Sequence, residues 1–148
     1  MIRDIVIIGA GGWAKEITYL IQDINMKEKT WNLLGYLEKN NDNVGDIICD
    51  YEIIGNDDSF FNSYSKDLDV VIAIGNSNKI KSLSDRLLQS YSNLKFPNLI
   101  HPSVSRYMRG VSLGQGNIIC AGNILTTDID IGNFNYINRG CNISHDIN

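Results

Sequence analysis

Several features that would quickly indicate a function are scarce in this sequence of 148 residues. Its 13 Lys and Arg residues face 17 Asp and Glu residues, and the net charge of -4 gives no basic surface for a nucleic acid. The longest apolar run near its start, residues 5–8, is too short to cross a bilayer or to form a signal-peptide core. We therefore expect a cytoplasmic protein with neither a nucleic-acid nor a membrane partner.

Cysteine and histidine are scarce as well. The three cysteines, Cys49, Cys120 and Cys141, are odd in number and widely spaced, and no C-x-x-C pair occurs. This pattern is typical of free thiols in a reducing compartment rather than of a disulfide framework. Because His101 and His145 are the only histidines, we expect no structural metal site.

What the sequence does contain is a repeat of six residues over 113–148. Its period matches neither the 3.6 residues of a helix nor the 2 of a simple strand. It is the signature of a parallel β-helix, in which each flat side contributes one inward aliphatic residue. A run of short antiparallel strands is the alternative, but such strands would not keep one constant spacing. The predicted inward residues are Leu113, Ile119, Leu125, Ile131, Ile137 and Ile143.

A second motif lies near the start of the chain. Residues 5–8 predict a buried strand, a glycine-rich turn follows at once, and an amphipathic helix begins near Ala14. Strand, G-x-G-x-x-A turn and helix form a phosphate-binding fingerprint. Gly9 allows the tight turn, Gly11 and Gly12 let a ligand approach the backbone, and the free amides of the helix start face a phosphate. A glycine turn without a ligand is the alternative.

Two further strands are expected to border the same ligand crevice. Residues 33–37 predict a strand that ends beside Glu38, where Rossmann-type sites place an acidic residue on a ribose hydroxyl. A solvated surface Glu38 is the alternative. Residues 69–74 predict a strand beside the first one, so Gly75 and Asn76 at its end should lie at the crevice.

The two prolines divide the chain, because Pro97 and Pro102 bracket the passage to the repeats. We expect a small α/β domain with an open parallel sheet over 1–97 and a separate solenoid over 98–148. The other expected elements are a loop over 39–50, a short strand over 52–54, a helix with its apolar face over 80–88 and a cap at Ser77 or Asn78, and a strand over 94–96.

Together these motifs resemble, over nearly the whole chain, the sugar O- and N-acetyltransferases of the sialic-acid and perosamine/bacillosamine type. The matching strings, in order, are IVIIGAGGWAKEI, LLGYLE, VVIAIGN, FPNLIHPS and INRGCNISHD. The resemblance implies a Rossmann-like domain that binds a nucleotide-sugar, a left-handed β-helix of hexapeptide repeats, and a homotrimer. It also implies an enzyme of surface glycan biosynthesis that uses acetyl-CoA to acetylate an amine or hydroxyl of its sugar substrate.

The resemblance further implies which residues form the site. The family's catalytic histidine lies in a Val-Glu-His-Asp-like hexad, which corresponds here to His145 and Asp146, and Asn138 lies where relatives help hold the sugar. An imidazole titrates near neutral pH and can take the proton that an attacking amine or hydroxyl must lose. A neighbouring carboxylate can orient the ring. An ordinary surface histidine is the alternative.

The sequence departs from the family in two ways. Trp13 stands where the family commonly has a histidine near the sugar, so we expect Trp13 at the sugar and a different sugar placement. Relatives also continue for several more coils, which form most of the acetyl-CoA groove and supply an oxyanion-stabilising amide. We therefore expect this chain to be part of a longer enzyme, with a degenerate copy as the alternative.

Two other functions fit parts of the pattern. The glycine-rich turn with Glu38 also suits a nicotinamide-dependent oxidoreductase, although a β-helix is an unusual companion for such a domain. The second alternative is a non-catalytic module that binds a sugar nucleotide and uses its β-helix only to trimerise. The identity of the sugar and nucleotide, and the choice between O- and N-acetylation, stay open at this stage.

Overall fold

The first half of the protein is a six-stranded sheet with helices on both faces. The computed structural model describes residues 2–106 and 110–147. The strands are β1 (Arg3–Ile8), β2 (Trp31–Glu38), β3 (Ile47–Ile48), β4 (Tyr51–Asn56), β5 (Leu68–Ile72) and β6 (Leu94–Lys95), and the helices are α1 (Gly12–Lys27), α2 (Asp57–Ser63) and α3 (Ser77–Ser90). The spatial order is β3-β4-β2-β1-β5-β6, and only β3 and β4 pair antiparallel. The predicted Rossmann-like α/β part is thereby confirmed.

Strand β1 lies at the centre of this half and is buried on both faces. Ile5 and Ile7 pack in the cluster that contains the apolar side of α1, whereas Val6 and Ile8 pack with residues of α2 and α3. A continuous run of β-branched residues suits a parallel strand that is covered on both sides. Each fully buried side chain of this size contributes about 1.5–3 kcal/mol through burial.

The structure corrects several details of the predicted elements. The expected loop over 39–50 contains strand β3, which forms a hairpin with β4 across Cys49 and Asp50. Both turn residues have positive φ, 46° and 68°, as a two-residue hairpin turn requires. Helix α2 was not expected from the sequence. None of the helices within the described residues is long and apolar enough to cross a membrane.

The cap of α3 was also predicted wrongly. Ser77 and Asn78 lie inside the helix, and the N-cap is Asn76, whose side chain accepts a hydrogen bond from the amide of Lys79 at 3.0 Å. Asparagine and serine can both cap a helix, so the residue that becomes the N-cap depends on where the segment after the preceding strand turns into the helix.

Beyond β6 the chain winds through short parallel strands in three small sheets. These strands are β7 (Leu99–Ile100), β8 (Ser105–Arg106), β9 (Val111–Leu113), β10 (Ile118–Ile119), β11 (Ile124–Leu125), β12 (Ile129–Ile131), β13 (Tyr136–Ile137) and β14 (Asn142–Ile143). The sheets are β13-β10-β7, β14-β11-β8 and β12-β9, so each successive strand passes to the next sheet. All the predicted inward residues belong to the hydrophobic cluster of this coil. The alternative of antiparallel strands is wrong, because every pairing here is parallel.

Left-handed backbone conformations recur every six residues along the coil. Glycine and aspartate tolerate this conformation, whereas holding a bulky aromatic residue there costs about 1–3 kcal/mol. Phe134 is in this position with a φ of 55°. The whole series is Gly110, Gly116, Gly122, Asp128, Phe134, Gly140 and Asp146.

A ladder of asparagine side chains runs through one edge of the coil. Asn117 is fully buried, and its Oδ1 accepts a hydrogen bond from the amide of Asn135 at 2.9 Å. Its Nδ2 donates to the carbonyl of Gly132 at 2.8 Å, and Asn98 Oδ1 accepts from the amide of Asn117 at 2.8 Å. Successive coils are therefore joined by side-chain amides as well as by strand pairing.

Helix α1 joins the coil to the sheet. Leu99, Ile118 and Cys120 of the coil lie in the same buried cluster as Ile17 and Ile21 of the helix. An ion pair and a histidine–aspartate hydrogen bond flank this packing. Glu16 lies 3.2 Å from Arg139, and Asp23 lies 3.2 Å from His101. The helix that begins at the glycine-rich turn therefore also fixes the position of the coil.

Candidate active site

The glycine-rich turn contains two kinds of glycine. Gly9 has a φ of 107°, and a Cβ on it would lie 2.7 Å from the carbonyl oxygen of Ala73. Gly9 is therefore needed for the fold. A Cβ on Gly11 or Gly12 would meet nothing within 4 Å, so open space lies over the start of α1. Gly11 is the N-cap and provides no side-chain hydrogen bond, which leaves the first amides of the helix for a ligand.

A crevice of about 570 Å³ opens where β1 and β2 end, and we call it the nucleotide crevice. Gly9, Glu38, Ile74 and Lys79 are among the residues that line it. Glu38 accepts a hydrogen bond from Asn43 Nδ2 at 2.9 Å through one carboxylate oxygen. The second oxygen can then accept from a ligand hydroxyl, as the sequence predicts for this position.

Three cationic side chains line the nucleotide crevice: Lys39, Lys79 and Arg86. Arg86 forms ion pairs with two carboxylates. Its Nη2 lies 2.8 Å from Asp57 Oδ2, and its Nη1 contacts Asp58. Among the described residues, neither lysine takes part in an ion pair. The two lysines are therefore the cations that remain available to an anionic ligand.

A second crevice of about 310 Å³ lies between the start of α3 and the coil, and we call it the aromatic crevice. Trp13 and Gly75, both predicted site residues, line it together with Phe134 and Tyr136 of the coil. Ile74 lines both crevices. Four of the predicted binding residues therefore line two adjoining cavities at the carboxyl edge of the sheet, whereas Gly11, Gly12, Asn76 and Asn138 line neither.

Tyr136 connects two predicted residues that are far apart in the sequence. Its ring lies against Trp13 with ring centroids 3.6 Å apart, and its hydroxyl donates to Asn138 Oδ1 at 3.4 Å. Burial, followed by a hydrogen bond with Cys120, raises the pKa of Tyr136 well above its usual range. The hydroxyl therefore stays protonated and remains a donor at neutral pH.

Asn138 and Asn76 both use their side-chain oxygens within the protein. Asn138 Oδ1 also accepts from the amide of Arg139 at 2.7 Å, and Asn76 caps α3 as described above. The amide nitrogens of both side chains remain the groups that can contact a ligand. Both residues are exposed to solvent. Their role in binding stays a prediction.

The predicted catalytic pair lies on an exposed corner of the coil. His145 Nδ1 lies 2.7 Å from Asp146 Oδ2, and the two side chains are 66% and 77% exposed. A carboxylate on Nδ1 favours the tautomer in which Nε2 can accept a proton. Asp146 also lines a cavity of about 550 Å³ with Asp128 and Asp130, which is separate from the two crevices. No group of three or more His, Cys, Asp or Glu side chains within 2–106 and 110–147 could hold a metal ion.

Four residues at these cavities were missed by sequence reasoning. Lys39 directly follows the predicted acidic residue, and Lys79 falls in the first turn of the predicted helix, so both carried a usable signal. Phe134 and Tyr136 lie between inward positions of the repeat. The six-residue period identifies inward positions but gives no information on what packs against the outer face of the coil.

Comparison with known proteins supports this assignment of fold. Residues 4–87, more than half of the chain, match the family model described as the PglD N-terminal domain. None of the curated proteins matches the chain. The chain is similar to PerB from Caulobacter crescentus, solved with CoA and GDP-perosamine, with 25% identity and a TM-score of 0.79 over 97% of this chain and 63% of that one.

Two further solved structures share the fold at lower identity. The acetyltransferase domain of PglB from Neisseria gonorrhoeae is 22% identical with a TM-score of 0.79, covering 97% of this chain and 66% of that one. WeeI from Acinetobacter baumannii is also 22% identical, with a TM-score of 0.78, covering 99% of this chain and 66% of that one. The chain thus spans slightly under two thirds of these relatives. On the match over residues 4–87, the chain belongs to the family of the PglD N-terminal domain.

Proposed function

We propose that this protein takes part in the acetylation of an amine or hydroxyl on a nucleotide-sugar, with acetyl-CoA as the donor. The observation that carries the proposal is the pair of adjoining crevices, which share Ile74 and begin at the phosphate-binding turn. A nucleotide-sugar has an anionic nucleotide end and a sugar ring whose C–H faces pack on aromatic side chains, so it matches one charged and one aromatic cavity in line. The relative from Caulobacter crescentus was solved with CoA and GDP-perosamine, which agrees with this substrate class.

The nucleotide would occupy the crevice of the first domain, proposed over residues 1–97. Gly11 and Gly12 leave the first amides of α1 open to a phosphate, and Lys79 lines the nucleotide crevice that begins at the neighbouring Gly9. Glu38 offers a carboxylate oxygen to a ribose hydroxyl.

The sugar would lie in the aromatic crevice, beyond the glycine-rich turn. Trp13 provides an aromatic face there, and Gly75 leaves space, because a Cβ on it would meet nothing within 4 Å. Tyr136 supports the ring of Trp13 and leads to Asn138, whose amide nitrogen can donate to a sugar hydroxyl.

The chemistry assigned to the coil is removal of a proton from the acceptor. His145 lines neither crevice, so the acceptor group of the bound sugar must extend from the aromatic crevice to reach it. There Nε2 of His145 accepts the proton of the attacking amine or hydroxyl, and Asp146 orients the ring and stabilises the imidazolium. Acetyl-CoA, when bound, supplies an acyl group activated as a thioester. The exposed imidazole of His145 is accessible to the thioester end of acetyl-CoA. Asp128 and Asp130 in the neighbouring cavity would repel the phosphates of CoA.

We further propose that residues 98–148 belong to a left-handed β-helix and that the protein assembles as a homotrimer. Coils of this size bury few apolar groups, and their flat faces tend to associate with copies of themselves. Ile124 is 45% exposed on the outer side of strand β11, which agrees with a face that is covered in an assembly. Light scattering at micromolar concentration should give three times the monomer mass, and a monomer would contradict this part of the proposal.

The proposed activity is tested by an acetyl-transfer assay. The longer enzyme expected from the sequence, with the further coils that complete the acetyl-CoA groove, is mixed with acetyl-CoA and GDP-perosamine, and the released CoA thiol is followed with a chromogenic disulfide reagent. We expect thiol release that requires both substrates. Acetyl-CoA that is consumed at the same rate without the sugar nucleotide, or not at all with it, would contradict the proposal.

A further inference from the structure

Phe134 occupies a backbone position that does not suit it. It belongs to the series of left-handed coil corners, whose other members are four glycines and two aspartates. Its φ of 55° is a conformation that a bulky side chain rarely adopts. Such outliers persist where the surrounding structure holds them, and they cluster at ligand sites. The position of this residue therefore needs an explanation.

The strained corner directs the ring of Phe134 to the space between the coil and the sheet. The ring packs edge-to-face on Phe96 with centroids 5.2 Å apart. It also lies directly over Gly116 one coil earlier, since a Cβ on Gly116 would come within 2.5 Å of the ring. The amide of Phe134 donates to the carbonyl of Gln115 at 2.8 Å, which fixes the corner. Both the ring and its backbone are thus held in one place.

This ring forms part of the coil-side wall of the aromatic crevice. Trp13 belongs to the sheet side of the same cavity, so aromatic groups from both halves of the protein line it. Among the described lining residues none is charged, and the lysines line the nucleotide crevice instead. The aromatic crevice therefore suits the sugar ring of a nucleotide-sugar, whose C–H faces pack on aromatic rings.

We propose that Phe134 is a positioning residue for the sugar, and that its strained corner is retained because it closes the sugar end of the site. This inference rests on the proposed function. It predicts that Phe134 contributes to the affinity that the sugar adds, and contributes nothing to the affinity of the nucleotide alone. A role limited to packing on Phe96 would instead change stability and leave the ratio of the two affinities constant.

The experiment is calorimetric titration of each protein with GDP-perosamine and with GDP. The test variant is Phe134→Asn, because asparagine tolerates a left-handed backbone and lacks the ring. Phe134→Gly is a second variant that restores the residue type found at most corners of the coil. Phe134→Tyr keeps the ring, and Asp128→Gly makes the same backbone change at a corner outside the aromatic crevice.

We expect Phe134→Asn and Phe134→Gly to bind GDP normally and GDP-perosamine at least tenfold more weakly. Phe134→Tyr and Asp128→Gly should keep the ratio of the two affinities within threefold of the unmodified protein. An unchanged ratio in both ring-deleted variants would overturn the inference, as would an unmodified protein that binds GDP-perosamine no more tightly than GDP. If the unmodified protein binds neither compound, the proposed function itself fails for guanosine sugars and the inference fails with it.

Discussion

The two halves of this protein are stabilised by different interactions. In the sheet, β1 is a continuous run of residues that are at most 4% exposed from Ile5 to Ile8, and it packs on helices on both sides. In the coil, the strands are two or three residues long, and inward aliphatic residues alternate with left-handed corners and hydrogen-bonded asparagines. The sheet therefore depends mainly on apolar burial, whereas the coil depends on repeated backbone geometry and buried amides.

The same contrast extends to the candidate site. Most of the proposed binding groups lie at the carboxyl edge of the sheet, where strands buried on both faces fix their positions, whereas Phe134 and Asn138 belong to the coil. The proposed catalytic pair lies on an exposed corner of the coil, where backbone geometry alone places it. Changes in the sheet edge should therefore act on affinity, and changes at the corner should act on turnover.

The largest expected effect is on turnover. His145→Ala should lower the rate of acetyl transfer about 100- to 10,000-fold, because a positioned general base contributes that much. Its affinity for GDP-perosamine should stay within threefold, since His145 lies outside both crevices. The measurement combines the thiol-release assay with calorimetry. Thr127→Ala, at the exposed position equivalent to His145 one coil earlier, is the control, and equal rates for His145→Ala and the unmodified protein would exclude His145 as the base.

The next effect concerns the asparagine ladder. Asn117→Ala removes a fully buried side chain and leaves the backbone amide of Asn135 and the carbonyl of Gly132 without their partners, so we expect a loss of about 2–4 kcal/mol in the free energy of unfolding. Ile7→Ala in the sheet should cost a similar amount, about 2–5 kcal/mol, through a cavity. Urea titration measures both values.

The control for the ladder is Asn133→Ala, because Asn133 is an exposed asparagine of the same coil whose Oδ1 accepts from the amide of Gln115 at 2.8 Å. Its loss should cost about 1 kcal/mol or less, since water can replace an exposed hydrogen bond. A cost for Asn117→Ala that is no larger than this would show that buried amides do not stabilise the coil.

The glycine-rich turn should separate affinity from stability. Gly11→Val places a side chain in the open space over α1, so we expect at least tenfold weaker nucleotide-sugar binding, about 1.4 kcal/mol, in a normally stable protein. Gly9→Ala should instead destabilise the fold, because its Cβ would clash with the carbonyl of Ala73. Calorimetry and thermal unfolding of both variants check this. Unchanged affinity in a folded Gly11→Val protein would remove the turn from the binding site.

The smallest effect is a pH dependence within the sheet half. The hydroxyl of Tyr64 donates to Asp4 Oδ2 at 2.6 Å. Burial and this carboxylate raise the pKa of Tyr64 to about 12, while the hydrogen bond from Tyr64 lowers the pKa of Asp4. The stabilisation linked to Tyr64 is full below its ordinary value of 10.0 and is lost as the pH rises through about 12. The part linked to Asp4 is present above 3.8 and is lost as the pH falls below it.

Tyr64→Phe should therefore lower stability by about 1 kcal/mol or less at neutral pH, because the pair is partly exposed to solvent. It should also flatten the decline of stability at both ends of the pH range. Tyr91→Phe is the control, since Tyr91 donates to the neutral amide of Asn62 at 3.1 Å and no carboxylate takes part. A steeper alkaline decline in Tyr64→Phe than in Tyr91→Phe would contradict this prediction.

Much of the fold could be predicted because two local patterns in the sequence are strong. The run at 5–8 with its glycine-rich turn identifies the strand and helix start, and the six-residue period identifies the inward side of the coil. The hairpin through Cys49 could not be predicted, because cysteine is an unusual residue at a left-handed turn position. The short helix α2 has too few residues for a helical period to be recognised.

The candidate site was predictable to a smaller extent. Gly9 and Glu38 follow from the strand–turn–helix order, and both line the nucleotide crevice. Tyr136 and Phe134 were not predictable, because their contacts with Trp13 and Phe96 depend on how α1 and the sheet pack on the outer face of the coil. Such long-range packing leaves no period in the sequence.

Competition between ligand classes tests most directly whether the carboxyl edge of the sheet binds a nucleotide-sugar. The unmodified protein is titrated calorimetrically with GDP-perosamine, a UDP-hexosamine and a CMP-sugar, and separately with NAD. We predict that at least one nucleotide-sugar binds at one site per chain and at least tenfold more tightly than NAD. NAD binding more tightly than all three would contradict the account and favour the nicotinamide-dependent alternative.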